Sequence, residues 1–238
     1  AGNALAAAIT AATSGDIDID NTHPTLGTVG IAEAGTNDAN DGDDITLTFT
    51  ATETIQTPTC TIKDGAGATM DNSVTVANTE NNIWTCVVDT NNADADGAMT
   101  FSIAFTDSAG NAGTPDTSVD DSSSVTIDNT HPTLSNIVMS TDGNSGYAKS
   151  GDTITLTITA SETVTALACT IDGESATMGG SGTAWTATLQ ASGDETAGAA
   201  TFSCASHTDA AGNTGSADTT ANSGSVTFDF TAPTLGTV

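Results

Sequence analysis

The sequence has almost no positive charge. It contains two cationic side chains, Lys63 and Lys149, against 30 Asp and Glu, which gives a formal net charge of −28. Binding to nucleic acid needs Lys and Arg to displace counterions from phosphates, and anionic lipid surfaces attract the same residues. The charge therefore excludes nucleic acid as a partner and favours metal cations.

Long apolar runs and recognisable catalytic motifs are also missing. No stretch approaches the ~20 apolar residues that a membrane-spanning helix requires, so we expect no membrane insertion. The sequence contains no G-x-S-x-G, no H-E-x-x-H and no phosphate-binding loop. We therefore predict that the protein is not an enzyme.

The three histidines do not change that prediction. His23 and His131 occupy equivalent positions in two copies of a repeated phrase, and a third copy has Ala232 there. His207 has no counterpart in the first repeat, where Phe105 takes its place. A position that varies in this way between repeats is a poor candidate for a catalytic group.

What the sequence does contain is an internal repeat. The phrase "IDNTHPTL" occupies residues 19–26 and again 127–134, and a relaxed copy, "FDFTAPTL", occupies 228–235. Between the copies, "GDDITLTFTATETI" at 42–55 matches "GDTITLTITASETV" at 151–164. A phrase that recurs once per domain-sized block predicts two tandem domains.

Each repeat reads as a series of short strands. Ile45, Leu47 and Phe49 alternate with threonines, as in a half-buried strand, and Gly-, Asp- and Asn-rich turns separate the segments. About seven such strands per hundred residues predict an all-β fold of tandem immunoglobulin-like Greek-key β-sandwiches. We place the fourth strand within 69–76, and expect Trp84 and Trp185 to pack in the two cores.

We accordingly divide the chain into four parts. Residues 1–20 form an Ala-rich segment that ends in a lone strand, residues 21–128 the first immunoglobulin-like domain, residues 129–230 the second, and residues 231–238 a tail or the start of a further repeat. Two explanations remain for the ends. The chain is a slice of a longer array, or residues 1–20 are a donor strand that adds to a neighbouring subunit.

The repeated linker, the "TFTATE" strand and the closing "TDSAGN" and "TDAAGN" segments resemble the bacterial immunoglobulin-like repeats of large surface adhesins, biofilm proteins and some surface-layer proteins. The resemblance covers nearly the whole chain after residue 19. It implies an extracellular location, at a cell surface or in a secreted fibre, and junctions between domains that calcium makes rigid.

Four cysteines in such a chain indicate disulfides. There is no C-x-x-C, and four cysteines allow three pairings. Because each predicted domain contains two, we favour Cys60 with Cys86 and Cys169 with Cys204. The pairs are not equivalent, since Cys86 aligns with Ala187 and Cys204 aligns with Ile103.

The acidic residues group at the ends of the predicted sandwiches. The chain enters such a domain beside the loops that follow its second and sixth strands, so a linker acid, a Glu and an Asp/Asn pair converge there. Calcium takes six to eight oxygen ligands in adaptable geometry. We therefore predict structural calcium, with candidate ligands Asp20, Asn21, Glu53, Asp107 and Asn111 in the first domain, Asp128, Asn129, Glu162, Asp209 and Asn213 in the second, and Asp94 and Asp96 at the far end of the first. Turns alone also favour Asp and Asn, which is the alternative explanation.

Two functions remain open. The first is a structural repeat protein that assembles head to tail, with itself or with neighbouring repeats, into a stalk, fibre or surface layer. The second is an adhesive or carbohydrate-binding accessory module that contacts a glycan or a host surface. Aromatic residues, which such modules display, make up only 4% of the chain, and Tyr147 beside Lys149 is the one candidate contact.

Overall fold

The computed structural model describes residues 19–236, and over these residues it contains strands and no α-helix. No helix in this part of the chain is long and apolar enough to cross a membrane. The predicted donor segment lies outside the described residues except for Ile19 and Asp20, which are exposed and belong to no strand. Residues 231–236 are likewise irregular and exposed.

Domain one is a two-layer β-sandwich. Its strands are β1 (Leu26–Glu33), β2 (Asp38–Ala39), β3 (Asp44–Ala51), β4 (Thr59–Lys63), β5 (Thr75–Glu80), β6 (Ile83–Asp89), β7 (Gly97–Ala98), β8 (Thr100–Ala104) and β9 (Thr126–Ile127). One layer is the antiparallel sheet β1-β3-β6-β5, and the other combines the pair β4-β8 with the sheet β2-β9-β7. The closing strand β9 runs parallel to β2 and antiparallel to β7.

Domain two repeats this plan. Its strands are β10 (Leu134–Thr141), β11 (Tyr147–Ala148), β12 (Thr153–Val164), β13 (Cys169–Ile171), β14 (Glu174–Ser175), β15 (Thr177–Gln190), β16 (Gly198–Ala199), β17 (Phe202–Cys204), β18 (His207–Thr208), β19 (Thr214–Gly215) and β20 (Thr227–Phe228). The sheet β10-β12-β15 faces β14-β13-β17 and β11-β20-β16, and β18 and β19 form a short hairpin.

The predicted alternation places the core. Ile45, Leu47 and Phe49 are fully buried in domain one, and Ile154, Leu156 and Ile158 take the same places in domain two. Thr46, Thr48 and Thr50 on the opposite face of β3 remain at least partly accessible. The strand registers agree with the alignment of the repeats, because Leu47 lies opposite Cys86 as Leu156 lies opposite Ala187. The prediction of tandem immunoglobulin-like sandwiches is confirmed.

The fourth strand differs from the prediction and between the domains. In domain one it is β5, which begins at Thr75, inside the predicted window 69–76, but continues beyond it to Glu80 and pairs with β6. In domain two the short strand β14 pairs with β13 in the opposite layer. Gly180 and Gly182 both have positive φ within β15, and Thr188 Oγ1 donates to the Thr177 carbonyl at 3.3 Å. The chain therefore turns back on itself near Gly180 and Gly182, a conformation that glycine allows. Alternation of apolar and polar residues does not predict where such a turn lies.

Both disulfides join the cysteines that the sequence paired. Cys60–Cys86 links β4 to β6 and so crosses between the layers, with the two Cα atoms 6.4 Å apart. Cys169–Cys204 links β13 to β17, which are neighbours in one sheet, with the Cα atoms 4.0 Å apart. Two disulfides fit an extracellular or secreted protein.

Each linker packs against the entry side of the domain that follows it. Pro24 and Pro132 are buried, whereas the preceding residues His23 and His131 are exposed to solvent. His23 Nδ1 lies 2.7 Å from the Ala112 carbonyl, and His131 Nδ1 lies 3.0 Å from the Thr214 carbonyl. Each histidine therefore holds the linker against the last hairpin of the domain that follows it, which is a structural role.

Candidate metal centre at the domain junction

Three carboxylates converge where the linker meets domain two. Asp128 follows the closing strand of domain one, Glu162 lies near the end of β12, and Asp209 follows β18. Each contributes a carboxylate oxygen to a group in which all these atoms lie within 4.8 Å of one another. We call this group the junction cluster.

Asp209 is fixed by the hairpin that carries it. Its Oδ1 accepts hydrogen bonds from Gly212 N at 2.8 Å and Asn213 N at 2.9 Å, and its Oδ2 accepts from Asn213 Nδ2 at 2.9 Å. The same Asn213 amide donates to the Asp128 carbonyl at 2.7 Å. Asp209 and Asn213 are both buried, at 5% exposure each. The "TDAAGN" segment therefore holds one carboxylate rigidly and ties the linker to it.

Domain one supplies a further acid from its far end. Asp96 accepts from Asn129 N and from Thr130 Oγ1, both at 2.7 Å. The Asn129 side-chain amide in turn donates to the carbonyls of Asn91 at 3.1 Å and Asp94 at 3.0 Å. The two domains are thus joined through the linker by a set of short hydrogen bonds.

The charges at the junction are not balanced. Burial raises the pKa of Asp128 above its ordinary value, and the charges of Asp209, Asp96 and Asp38 raise it further, against a hydrogen bond from Thr130 that lowers it. Burial also raises the pKa of Glu162, again with the charges of Asp128, Asp209 and Asp96, while His131 opposes the shift. The ionised junction cluster is therefore an unfavourable arrangement by itself.

The donors at the junction fit a hard divalent cation. Glu162 Oε1 is shielded from solvent and has no hydrogen-bond partner, and the same is true of Asn129 Oδ1. The carboxylate oxygens of the cluster and the unpaired amide oxygen of Asn129 are of the type that calcium prefers. Among the described residues the only salt bridge, Lys149–Asp152, lies elsewhere. A calcium ion would be held by Asp128, Glu162 and Asp209 and would relieve their mutual repulsion.

Domain one carries a matching cluster at its own entry. Asp20, Glu53 and Asp107 place carboxylate oxygens within 4.8 Å of one another. Asp107 accepts from Gly110 N at 2.7 Å and Asn111 N at 2.8 Å, and Asn111 Nδ2 donates to Asp107 Oδ2 and to the Asp20 carbonyl. Burial alone would raise the pKa of Asp107, but the hydrogen bonds from Asn111, Gly110 and Ala109 lower it overall.

The structure gathers most of the predicted ligands and leaves others outside. Asn111 and Asn213 orient the carboxylates of Asp107 and Asp209 through their side-chain amide nitrogens, and a contribution of their oxygens stays a prediction. Asp94 is buried and accepts from Asn91 N at 2.7 Å, so its side chain closes its own loop. Asn21 is exposed, and its role as a ligand stays a prediction. Asp96 contacts the linker and acts on the junction cluster through its charge.

Sequence reasoning did not single out Asp38, whose charge raises the pKa of Asp128. Asp38 begins β2, a two-residue strand parallel to the closing strand, and this pairing directs the segment toward the linker. Thr36, two residues earlier, donates through Oγ1 to the Ala210 carbonyl of domain two at 3.2 Å. The acid-rich composition of 37–44 was the available signal, but strand pairing of two residues leaves no periodic pattern.

Exposed aromatic side chains are scarce. Trp84 is 7% exposed and packs in the first core, and Trp185 is partly buried against the second, as predicted. Tyr147, at 54% exposure, is the one large aromatic side chain that the described residues leave exposed. A platform of several aromatic rings for stacking on sugars is therefore not formed by residues 19–236.

Comparison with known proteins identifies no family. No protein-family model and no curated protein sequence matches the chain. A three-immunoglobulin-domain fragment of titin is similar over 87% of this chain and 65% of its own length, at 15% identity and a TM-score of 0.45. The tandem immunoglobulin repeats of Dlar match 88% of this chain and 97% of theirs, at 10% identity and a TM-score of 0.29.

The D1-D2 domains of Rst match 88% of this chain and all of theirs, at 11% identity and a TM-score of 0.37. This chain thus spans just under two thirds of the length of the titin fragment. Superpositions at these scores carry no argument, so the fold and the function are argued from the residues of this chain.

Proposed function

We propose that the protein is a structural repeat of an extracellular assembly, in which immunoglobulin-like domains follow one another head to tail and calcium stiffens their junctions. Tandem immunoglobulin-like domains suit structural and adhesion-type repeat proteins, and this fold is typically not enzymatic. In this role the domains assemble into a stalk, fibre or surface layer at the cell surface.

The junction cluster is the observation that supports the proposal best. Asp128 belongs to the linker, Glu162 and Asp209 belong to domain two, and Asp96 of domain one binds the linker beside them. A cation bound there would link Asp128 of the linker directly to Glu162 and Asp209 of domain two, beside the hydrogen bonds that join the linker to Asp96. Its absence would leave several carboxylates partly desolvated and close together, which is costly.

The alternative, an adhesive or carbohydrate-binding module, has one supporting feature. Tyr147 is exposed, next to the exposed cation Lys149. One ring and one cation are a small contact surface, since glycan sites in general combine several stacking and hydrogen-bonding groups. We therefore favour the structural role.

Thermal unfolding of the full chain at low ionic strength tests the metal. We expect calcium to raise Tm relative to excess chelator, because a ligand that binds only the folded state stabilises it, by about 2.7 kcal/mol when its concentration is a hundred times Kd. Glu162→Gln should remove most of the difference. Glu80→Gln, on the exposed strand β5, changes the charge equally and should leave the calcium response intact.

Small-angle X-ray scattering under the same two conditions tests the stiffness. With calcium we expect one narrow distribution of interdomain distances, and with chelator a broader one. The same Tm and the same scattering curve in calcium and in chelator would rule out structural calcium at the junction.

A further inference from the structure

The far ends of the two domains can be compared position by position. β2 (Asp38–Ala39) and β11 (Tyr147–Ala148) each run parallel to the closing strand, and β7 and β16 pair with it on the other side. These registers place Lys149 where domain one has Asn40, Ala197 where it has Asp96, and Phe230 where it has Asn129. We call these surfaces the exit ends of domain one and domain two.

The two exit ends differ in charge. In domain one the segments 36–44, 91–98 and 128–130 contain seven acids and no cation. In domain two the matching segments 145–153, 192–199 and 229–231 contain four acids and Lys149. Asp38 is replaced by Tyr147 and Asp96 by Ala197. Asp38 and Asp96, which raise the pKa of Asp128 at the internal junction, thus have no acidic counterpart at the exit end of domain two, whereas Asp128 itself corresponds to Asp229.

The position of Lys149 matters because its counterpart touches the next domain. Asn40 Nδ2 lies 3.3 Å from the point where a Cβ on Gly212 would stand, so it packs against the β18–β19 hairpin of domain two. That hairpin carries Asp209 and Asn213, and Thr36 contacts it as well through Ala210. A lysine in the place of Asn40 would bring an ammonium group to the corresponding hairpin of any domain that docked in the same way.

The exit end of domain two is also more apolar. Phe230 stacks on Phe228 with the ring centroids 5.9 Å apart, whereas Asn129 in its place makes polar contacts to the loop at 91–94. A cavity of about 500 Å³ lies there, lined by Lys149, Ser150, Gly193, Phe230 and Pro233 among others. The Lys149 side chain is 72% exposed and held by Asp152 at 2.7 Å.

A surface complementary to this one exists on the same chain. The entry end of domain one carries the cluster Asp20, Glu53 and Asp107, in which Asp20 is exposed, Glu53 is partly exposed, and Asp107 is buried on the hairpin equivalent to the one that Asn40 touches in domain two. The exposed ammonium group of Lys149 beside apolar surface at one end and the accessible carboxylates of Asp20 and Glu53 at the other are suited to each other.

We infer that the exit end of domain two docks onto the entry end of domain one of a second copy of this chain, with Lys149 in the acidic cluster where the internal junction takes a cation. The inference rests on the proposed head-to-tail function and gives it a surface and a polarity. It also separates two kinds of junction, an internal one that depends on a metal and an intermolecular one that depends on a lysine.

Sedimentation velocity on the full chain at low ionic strength tests the docking. We expect association that persists in chelator and weakens as salt rises. Lys149→Glu and Glu53→Lys should each weaken it by about tenfold or more, the scale of one lost charge pair. Lys63→Glu makes the same charge change at the end of β4, outside the exit end of domain two and the entry end of domain one, and should leave the association unchanged.

Mixing the two variants distinguishes docking from misfolding. A chain with Lys149→Glu and a chain with Glu53→Lys present complementary ends to each other in both orders, so the mixture should regain the association that each variant lacks alone. Association that neither variant weakens would overturn the inference and leave head-to-tail assembly standing. A chain that stays monomeric at every salt concentration, with calcium and with chelator, would overturn both.

Discussion

Domain one and domain two bury matching side chains but place their disulfides differently. In domain one Cys60 and Cys86 belong to facing sheets, so the bridge crosses the core. In domain two Cys169 and Cys204 lie directly opposite each other on neighbouring strands that the backbone already pairs. Cys60 and Cys169 occupy equivalent positions on β4 and β13. Their partners do not, because Cys86 lies on β6 in the facing sheet and Cys204 lies on β17 in the same sheet as Cys169.

This difference separates two ways in which a disulfide stabilises a sandwich. The bridges close loops with sequence separations of 26 and 35 residues, for which loop entropy predicts about 3.5 and 4 kcal/mol. Loop length therefore predicts a slightly larger stabilisation from the bridge of domain two. The bridge of domain one, however, is the one that ties the two layers together, a link for which backbone hydrogen bonds offer no substitute.

The largest effect that we expect is the loss of the bridge in domain one. Replacing Cys60 and Cys86 with alanine should cost 3 to 5 kcal/mol, within the ~2–5 kcal/mol typical of native disulfides in small secreted domains. Replacing Cys169 and Cys204 should cost about 1 kcal/mol less, since β13 and β17 stay paired. Calorimetry of both variants gives the comparison, and a greater loss in domain two would show that loop length decides.

The cysteine positions also permit an exchange. Cys60 lies opposite Ile103 on β8, in the register that Cys169 and Cys204 have in domain two. Cys86→Ala together with Ile103→Cys should therefore form the bridge of domain two within domain one. Peptide mapping would identify the new pair, and free thiols in the folded variant would contradict the equivalence of the two registers.

A second contrast concerns the acid that follows strand β4 or β13. Asp64 is 6% exposed and accepts from the backbone N–H groups of Ala66, Ala68 and Ala95 at 3.1, 2.8 and 3.1 Å. The hydrogen bond from Ala95 is the main reason that its pKa is lowered. Its counterpart Asp172 is more accessible and has longer contacts, at 3.2 and 3.4 Å.

We expect Asp64→Ala to destabilise domain one by about 2–3 kcal/mol, because it leaves three backbone donors without their charged acceptor. Asp172→Ala is the matched control and should cost less than about 1 kcal/mol. Urea unfolding of the two variants measures the difference. Equal losses would mean that water replaces the carboxylate at Asp64 without cost.

The sequence predicted the parts of this protein that depend on repetition. Alternation in β3 and β12 gave the core, and matching of the repeats gave the disulfide partners and both acidic clusters. It could not place Asp38 or the fourth strand of domain two, because these depend on a two-residue pairing and on glycines at positive φ. It grouped Asp94 with the ligands, since composition does not show that a side chain turns back to its own loop.

The buried ring beneath each linker offers a smaller contrast. Phe105 lies against Gly113 in domain one, and His207, at 3% exposure, lies against Gly215 in domain two. His207 Nε2 is buried without a hydrogen-bond partner. His207→Phe should therefore stabilise domain two by about 1 kcal/mol, the lower range for a buried polar group left unpaired. Phe105→His is the reciprocal variant and should destabilise domain one. If His207→Phe and Phe105→His both lower stability, each ring fits only its own domain.

The smallest effect that we expect is a pH dependence that distinguishes the two acidic clusters. The pKa values of Asp128 and Glu162 are raised in the folded state, so each group contributes stability that is fully present below its unfolded pKa and lost as pH rises through the folded pKa. The pKa of Asp107 is lowered, so its contribution is present above the unfolded pKa and is lost as pH falls through the folded value. The two clusters should therefore respond to acid with opposite signs.

In chelator at low salt, acidification from neutral pH toward the ordinary pKa of a glutamate should first raise Tm, before protonation of Asp107 and Asp64 lowers it at more acidic pH. The corresponding gain in the free energy of unfolding should stay below about 1 kcal/mol, because Asp128 and Glu162 are partly exposed to solvent. Glu162→Gln should flatten the rise, and calcium should abolish it by binding the ionised form. A Tm that falls steadily from neutral pH in chelator would mean that the junction carboxylates do not repel one another enough to matter, and the case for a cation between them would lose its electrostatic basis.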